Sequence, residues 1–169
     1  IMTLKSTLAR ITAKSSYWLL HDVLHRGGTS LPCKLAVSID PNILTKIQQD
    51  FELIIVTGTN GKTLTTALIT RVLQAGGYTV ITNPSGSNMI QGITGTLVTA
   101  KVKPSPNGQK PVAVLEVDEA NVEKIAAAIK PKMFVLTNIF RDQLDRYGEI
   151  YTTYDKIIAG IKHAPEAIV

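Results

Sequence analysis

Residues Ile54-Ile55-Val56-Thr57-Gly58-Thr59-Asn60-Gly61-Lys62-Thr63 decide how the chain is read. The apolar run Leu53–Val56 breaks into a glycine-rich turn that ends in Lys-Thr. A buried strand that hands over to a helix through such a turn makes a phosphate cradle. Backbone N–H groups and the positive end of the helix face the anion, a lysine supplies a point charge, and a threonine hydroxyl reaches Mg²⁺. Gly58 and Gly61 let the backbone close on phosphates without a Cβ in the way. The strict P-loop pattern also places a glycine where this chain has Val56, so the loop is a variant. Gly58, Thr59, Asn60, Gly61, Lys62 and Thr63 are therefore the predicted nucleotide-binding residues.

Outward from the loop, the pattern alternates strand and helix. A helix from about Lys62 to Gln74 is closed by Gly76-Gly77, and Tyr78–Thr82 reads as a second strand. Asn88–Ala100 reads as a helix, and Lys103 to Lys110, with two prolines and Asn107-Gly108, as a surface turn. Val112–Val117 is a third strand, Val122–Ile129 a helix, and Met133–Thr137 a fourth strand. Tyr151–Lys162 is a helix, and Ala167-Ile168-Val169 starts a fifth strand. Short, continuous apolar strands separated by helices predict an α/β fold, a parallel sheet covered on both faces. Such sheets bind ligands at the carboxyl ends of their strands, where the loop lies.

The amino-terminal part reads differently. Leu4, Leu8 and Ile11 recur at helical spacing, which predicts an amphipathic helix stopped by Gly27-Gly28. This helix is basic and carries Trp18, features of a helix lying on a membrane, although packing on its own domain or on a partner is the expectation. The longest apolar run, Tyr17–Leu20, is too short for a signal segment or a membrane span. His21 and His25 stand one helical turn apart and are expected as solvated helix-end residues. Residues 27–50 are expected to form a linker or cap, with a turn at Leu31-Pro32-Cys33-Lys34. The chain thus divides into an N-terminal helix and cap segment, 1–50, and a nucleotide-binding unit, 51–169.

The length of 169 residues suits one full core, and the 44% hydrophobic content is ordinary for a soluble protein. The net charge of +5 is spread along the chain without a basic, aromatic-interleaved patch, which argues against a nucleic-acid partner. Cys33 is the only cysteine, which excludes an internal disulfide and a cysteine-built metal site within these residues. A cytoplasmic protein is expected.

Two further stretches carry chemistry. Val112-Ala113-Val114-Leu115-Glu116-Val117-Asp118-Glu119 ends an apolar strand in carboxylates, which suits a nucleotide-bound Mg²⁺. Glu116 and Asp118 share a face if the strand continues, so either can serve, while Glu119 can open the next helix as a favourable charge. The polar turn Thr137 to Gly148 is expected over the same sheet edge, as a ligand-facing loop or a salt-bridged helix start. It is not a guanine reader, because Ile139 and Arg141 stand where Lys and Asp would be required. Ser85-Gly86-Ser87-Asn88 suits either ligand contact or helix capping by Ser87 or Ser85.

Together these motifs resemble the Mur ligase family of ATP-dependent amide-forming enzymes. In that family a Thr-Gly-Thr-Asn-Gly-Lys-Thr loop follows an apolar residue, a metal-binding Glu follows the third strand, and Thr-Asn-x-x-x-Asp-His-Leu-Asp-x-x-Gly matches Thr137 to Gly148. Gln143 replaces the His, which usually helps bind a second metal. The resemblance implies a P-loop-type central domain binding ATP and Mg²⁺, with Thr63 and Glu116 as metal ligands. Phe140 to Glu149, Leu115 to Ala120 and Asn83 to Met89 are similar to the subgroup that serves as the ligase-like subunit of lipid II isoglutaminyl synthases. That subgroup implies ATP-driven amidation of the α-carboxyl of D-Glu in lipid II, with ammonia from a glutaminase subunit of the GatD type, and proximity to the membrane through the lipid substrate. It also implies a Zn²⁺ ribbon, a C-terminal domain and the main catalytic groups beyond Val169, so that this stretch alone is expected to bind nucleotide weakly.

Overall fold

A computed structural model of the chain describes residues 4–19, 30–84, 86–140 and 150–168. Its centre is a parallel sheet of β1 (Glu52–Thr57), β2 (Val80–Thr82), β3 (Val112–Glu116), β4 (Met133–Leu136) and β5 (Glu166–Ile168), in the order β2-β3-β1-β4-β5. Three helices precede the sheet: α1 (Leu4–Trp18), α2 (Ser30–Ile39) and α3 (Ile43–Ile47). Between strands run α4 (Lys62–Ala75), α5 (Ile90–Thr99), α6 (Val122–Ile129) and α7 (Ile150–Ile161).

The apolar strands serve two cores because their side chains alternate between faces. Leu53, Ile55, Ala113, Leu115, Phe134 and Leu136 join a large core with residues of α1, α2, α3, α5, α6 and α7. Val56, Val112, Val114 and Val135 form a smaller core, against which Ile69 and Leu73 of α4 pack. Burial on both faces is why these strands read as continuous apolar runs rather than alternating ones. On α6, Val122, Ile125, Ala126 and Ile129 are all buried, as the spacing of one helix face requires. The fold class expected from the sequence is the one observed.

The main correction concerns the turn expected at Leu31–Lys34, within residues 30–50. Those residues form α2, α3 and a short 3-10 turn (Gln48–Asp50), and Ala36, Ile43, Leu44 and Ile47 belong to the large core. The expected turn at Leu31–Lys34 is the opening of α2. Pro32 misleads there because the first helical turn has no use for its missing N–H. Cys33 is accordingly buried in a helix beside Thr94 and Gly95 of α5, and burial pushes its thiol pKa up. Smaller shifts fall at element ends. Tyr78 and Thr79 lead into β2 without pairing at the donor side, since the Thr79 N–H donates to Ser105 Oγ at 3.0 Å. Ser87 does not cap α5, which follows Met89 with no side-chain cap. His21, His25, Gly27-Gly28 and Ser85 lie outside the described residues.

Asp40, just after α2, ties the three amino-terminal helices together. Its carboxylate accepts hydrogen bonds from Ser6 Oγ of α1 at 2.7 Å and Lys46 Nζ of α3 at 2.7 Å, and from the Asn42 N–H at 3.2 Å. Lys46, and after it Ser6, holds the Asp40 pKa below the usual carboxylate range. A depressed folded-state pKa contributes stability above the unfolded value, and that contribution is lost as pH falls through the folded value. Asp40→Asn should therefore lower unfolding free energy at neutral pH by about 1–3 kcal/mol. In denaturant titrations the gap between parent and variant should close as pH drops below the ordinary Asp range. A variant as stable as its parent at neutral pH would contradict this assignment.

Candidate functional site

The predicted loop leaves the carboxyl end of β1, the middle strand, with β3 on one side and β4 on the other. The register aligns Val56 with Glu116 of β3 and with Val135 of β4. The ends of all three strands therefore reach the same edge together.

The loop is stitched to the segment after β4. Thr137 Oγ1 donates to the Asn60 carbonyl at 2.7 Å. The Asn138 amide closes a reciprocal pair with Asn60: the Asn60 N–H donates to Oδ1 at 3.0 Å, and Nδ2 donates to the Asn60 carbonyl at 2.9 Å. The Thr59 N–H donates to the Asn138 carbonyl at 3.1 Å, and the Phe140 N–H donates to Thr59 Oγ1 at 3.0 Å. Gly58 must be glycine in this arrangement. Its φ is +126°, and a Cβ would fall 2.7 Å from the Asn138 carbonyl oxygen and closer still to Thr137 Oγ1. Gly61, at φ +83°, opens α4 without a side-chain cap.

This geometry divides the predicted loop residues into two groups. The N–H groups of Thr59 and Asn60 are directed at Asn138, so these residues shape the loop. The N–H groups of Lys62, Thr63 and Leu64 in the first turn of α4 have no partner within the helix, and the helix dipole gives this end a partial positive charge.

Lys62 and Thr63 point to different partners. Lys62 Nζ donates to the carbonyls of Gly58 and Thr59 and lies 3.5 Å from both carboxylate oxygens of Glu119. Both side chains of that pair are largely buried. Glu119 thus pairs with the loop lysine rather than opening a helix, and α6 begins only at Val122 after Asn121. Thr63 Oγ1 donates to Glu116 Oε2 at 3.1 Å. These two hard oxygens from different elements suit Mg²⁺, which accepts a few protein ligands and completes its shell with phosphate and water. Among the described residues no cluster of three His, Cys, Asp or Glu could hold a metal by itself.

Glu116 and Asp118 are separated by where β3 stops. Asp118 lies in the turn beyond it, where Oδ1 accepts from the Ala120 N–H at 3.0 Å and from Asn121 Nδ2 at 3.3 Å. Glu116 keeps its carboxylate at the loop. Its backbone is gripped by Asn83, at the end of β2: the Glu116 N–H donates to Asn83 Oδ1 at 2.9 Å, and Nδ2 donates to the Glu116 carbonyl at 2.9 Å. Nδ2 also reaches the Ser87 carbonyl at 3.0 Å. Asn83 and Asn138 lie in stretches that the sequence marks as informative, but the sequence alone assigns neither amide a bracing role. The available signal was position, an amide residue directly after an apolar strand of a parallel sheet. Of the Thr137–Gly148 element, residues 141–148, with Asp142, Gln143 and Asp145, lie outside the described residues. Asn83→Ala would leave the buried Glu116 N–H unsatisfied, and should cost about 1–3 kcal/mol in denaturant unfolding. An unchanged unfolding midpoint would show that this amide does not anchor Glu116.

Comparison with known proteins agrees with this geometry. The Mur ligase middle domain family matches residues 56–164. The chain is 50% identical over 168 residues to the MurT subunit of the glutamine-hydrolysing lipid II isoglutaminyl synthase of Streptococcus pneumoniae, covering 99% of this chain and 36% of that protein. It is 37% identical over 144 residues to the same subunit of Staphylococcus aureus, covering 85% of this chain and 31% of that protein. The chain thus spans about a third of the length of these relatives. In fold it is similar to MurF from Acinetobacter baumannii, with a TM-score of 0.62 at 16% identity over 78% of this chain and 28% of that one. It is also similar to the MurF ligase of Thermotoga maritima solved with ADP, with a TM-score of 0.60 at 23% identity over 77% of this chain and 30% of that one. The variant phosphate loop, the strand-end glutamate facing it and the matched span make this chain a member of the Mur ligase family, carrying its middle domain.

Proposed function

We propose that this chain is the ATP-binding part of a synthase subunit that amidates the α-carboxyl of D-Glu in lipid II to D-isoglutamine. The observation that carries this reading is the 50% identity, over nearly the whole chain, to the Streptococcus pneumoniae subunit. The geometry around the loop supports the nucleotide half of it.

A carboxylate is a poor electrophile, and transfer of the γ-phosphoryl group of ATP gives it a leaving group. Ammonia, released by a glutaminase partner, then adds to the acyl phosphate and expels phosphate, leaving the amide. In this assignment the first-turn N–H groups of α4 hold the phosphates, and Lys62 Nζ neutralises charge on the group in transfer. Glu119 steadies Lys62, while Gly58, Thr59, Asn60 and Gly61 set the loop's path. Thr63 and Glu116 would hold Mg²⁺, which polarises the phosphoryl oxygens when bound. Residues 51–169 form the nucleotide-binding unit and 1–50 its cap. The reaction belongs on the cytoplasmic side of the membrane that holds the lipid substrate.

The test is glutamine-dependent ATP hydrolysis with lipid II by the full-length subunit and a glutaminase subunit, with amidation followed by mass spectrometry. The expected result is exchange of hydroxyl for amino on the D-Glu carboxyl. Lys62→Ala should lower turnover about a hundred-fold or more while leaving the fold intact. Normal turnover in that variant would overturn the assignment. ATP use with a different acceptor would point to another Mur-type ligase, and no hydrolysis at all to a nucleotide-binding module.

A further inference from the structure

The outer face of α1 carries a surface that the nucleotide site does not use. Successive residues of a helix turn by about 100°. Leu4, Leu8, Ile11 and Trp18, continued by Leu19, therefore fall on one stripe. Ser6, Ala9 and Ala13, which are buried, lie on the opposite side. The stripe is open: Leu4 is 89% exposed, Leu8 55%, Ile11 57%, Trp18 58% and Leu19 48%. Small residues face the protein and large apolar ones face outward, the reverse of an ordinary surface helix.

Charge identifies what this stripe fits. Lys5 and Lys14 are exposed and stand on the two flanks of the stripe at the same helical spacing. The helix has no acidic residue anywhere along its sequence. Arg10, on the packed side, forms an ion pair with Asp50 at 2.7 Å. An apolar centre bordered by lysines on both sides matches a bilayer surface carrying anionic lipid. There the acyl boundary takes the leucines, isoleucine and tryptophan, and the headgroup phosphates take the lysines. Trp18 suits that boundary in particular, since an indole is apolar in body and polar at its N–H. Among the described residues no helix is long and apolar enough to cross a membrane, so the contact is one of lying on the surface.

We infer that α1 seats this chain on anionic membrane surfaces, in the plane of the interface, through Leu4, Leu8, Ile11 and Trp18 with Lys5 and Lys14 at the headgroups. The inference stands on the helix itself and does not depend on the reaction proposed above, although a lipid-linked substrate would be met at the same surface.

Trp18 is the only tryptophan of the chain, so its emission reports on the stripe directly. The full-length subunit, with any tryptophan outside these residues replaced by phenylalanine, is titrated with vesicles of phosphatidylcholine alone and with vesicles that also contain phosphatidylglycerol. The expected result is a blue shift of Trp18 emission and quenching by brominated acyl chains, with the phosphatidylglycerol vesicles only and weakened by salt. Replacing both lysines, Lys5→Gln with Lys14→Gln, should lower vesicle affinity roughly thirty-fold. Leu8→Ser with Ile11→Ser should abolish the quenching without changing the circular dichroism spectrum, because both side chains are exposed. No shift with either vesicle would overturn the inference, as would equal binding to neutral vesicles. A concentration-dependent blue shift without vesicles would overturn it in favour of self-association through the stripe.

Discussion

The reciprocal amide pair between Asn60 and Asn138 fixes the loop after β1 to the segment after β4, and the rest of the site depends on it. A glycine-rich loop that approaches polyanions needs a defined path, yet its glycines supply no side-chain contacts of their own. Here rigidity comes from the neighbouring strand end. Asn138 and Thr137 occupy the loop's carbonyls and N–H groups on one side, and Gly58 allows the approach that makes those contacts possible. The result is that α4 opens from a fixed loop with its first-turn donors uncommitted within the helix.

A second amide does the same for the carboxylate. Asn83 holds both backbone groups of Glu116, so the side chain is aimed from a fixed main chain toward Thr63. β1 and β3 thus lead into the residues proposed to meet the nucleotide and its metal, while β2 and β4 end in the amides that brace them, Asn83 and Asn138. Val56 aligned with Glu116 and Val135 sets the level of all of them, which is why the parallel register matters more to the site than any single side chain.

Much of this was legible in the sequence, for local reasons. The strand-to-turn-to-helix transition at Val56–Lys62 and the carboxylate closing Val112–Glu116 are written in consecutive residues, and so is the period of α6. The bracing was not legible, because Asn83 and Asn138 act across strands whose neighbours follow from sheet order rather than from chain order. The pairing of Glu119 with Lys62 has the same cause, since 57 residues separate the two. The turn expected at Leu31–Lys34 was misread for a different reason: Pro32 signals a turn by composition but is tolerated in a first helical turn. On α1 the spacing of Leu4, Leu8 and Ile11 predicted the helix correctly but not which face is buried. The small residues Ser6, Ala9 and Ala13 pack inward.

The central claim is that Thr63 and Glu116 form, with the loop, a place for nucleotide-bound Mg²⁺. Calorimetric titration of ATP with and without Mg²⁺, into the chain and into its Glu116→Gln variant, tests it most directly. The account predicts that Mg²⁺ strengthens ATP binding by the parent chain and that the variant loses most of this gain while still binding ATP. An equal gain in both proteins would contradict it.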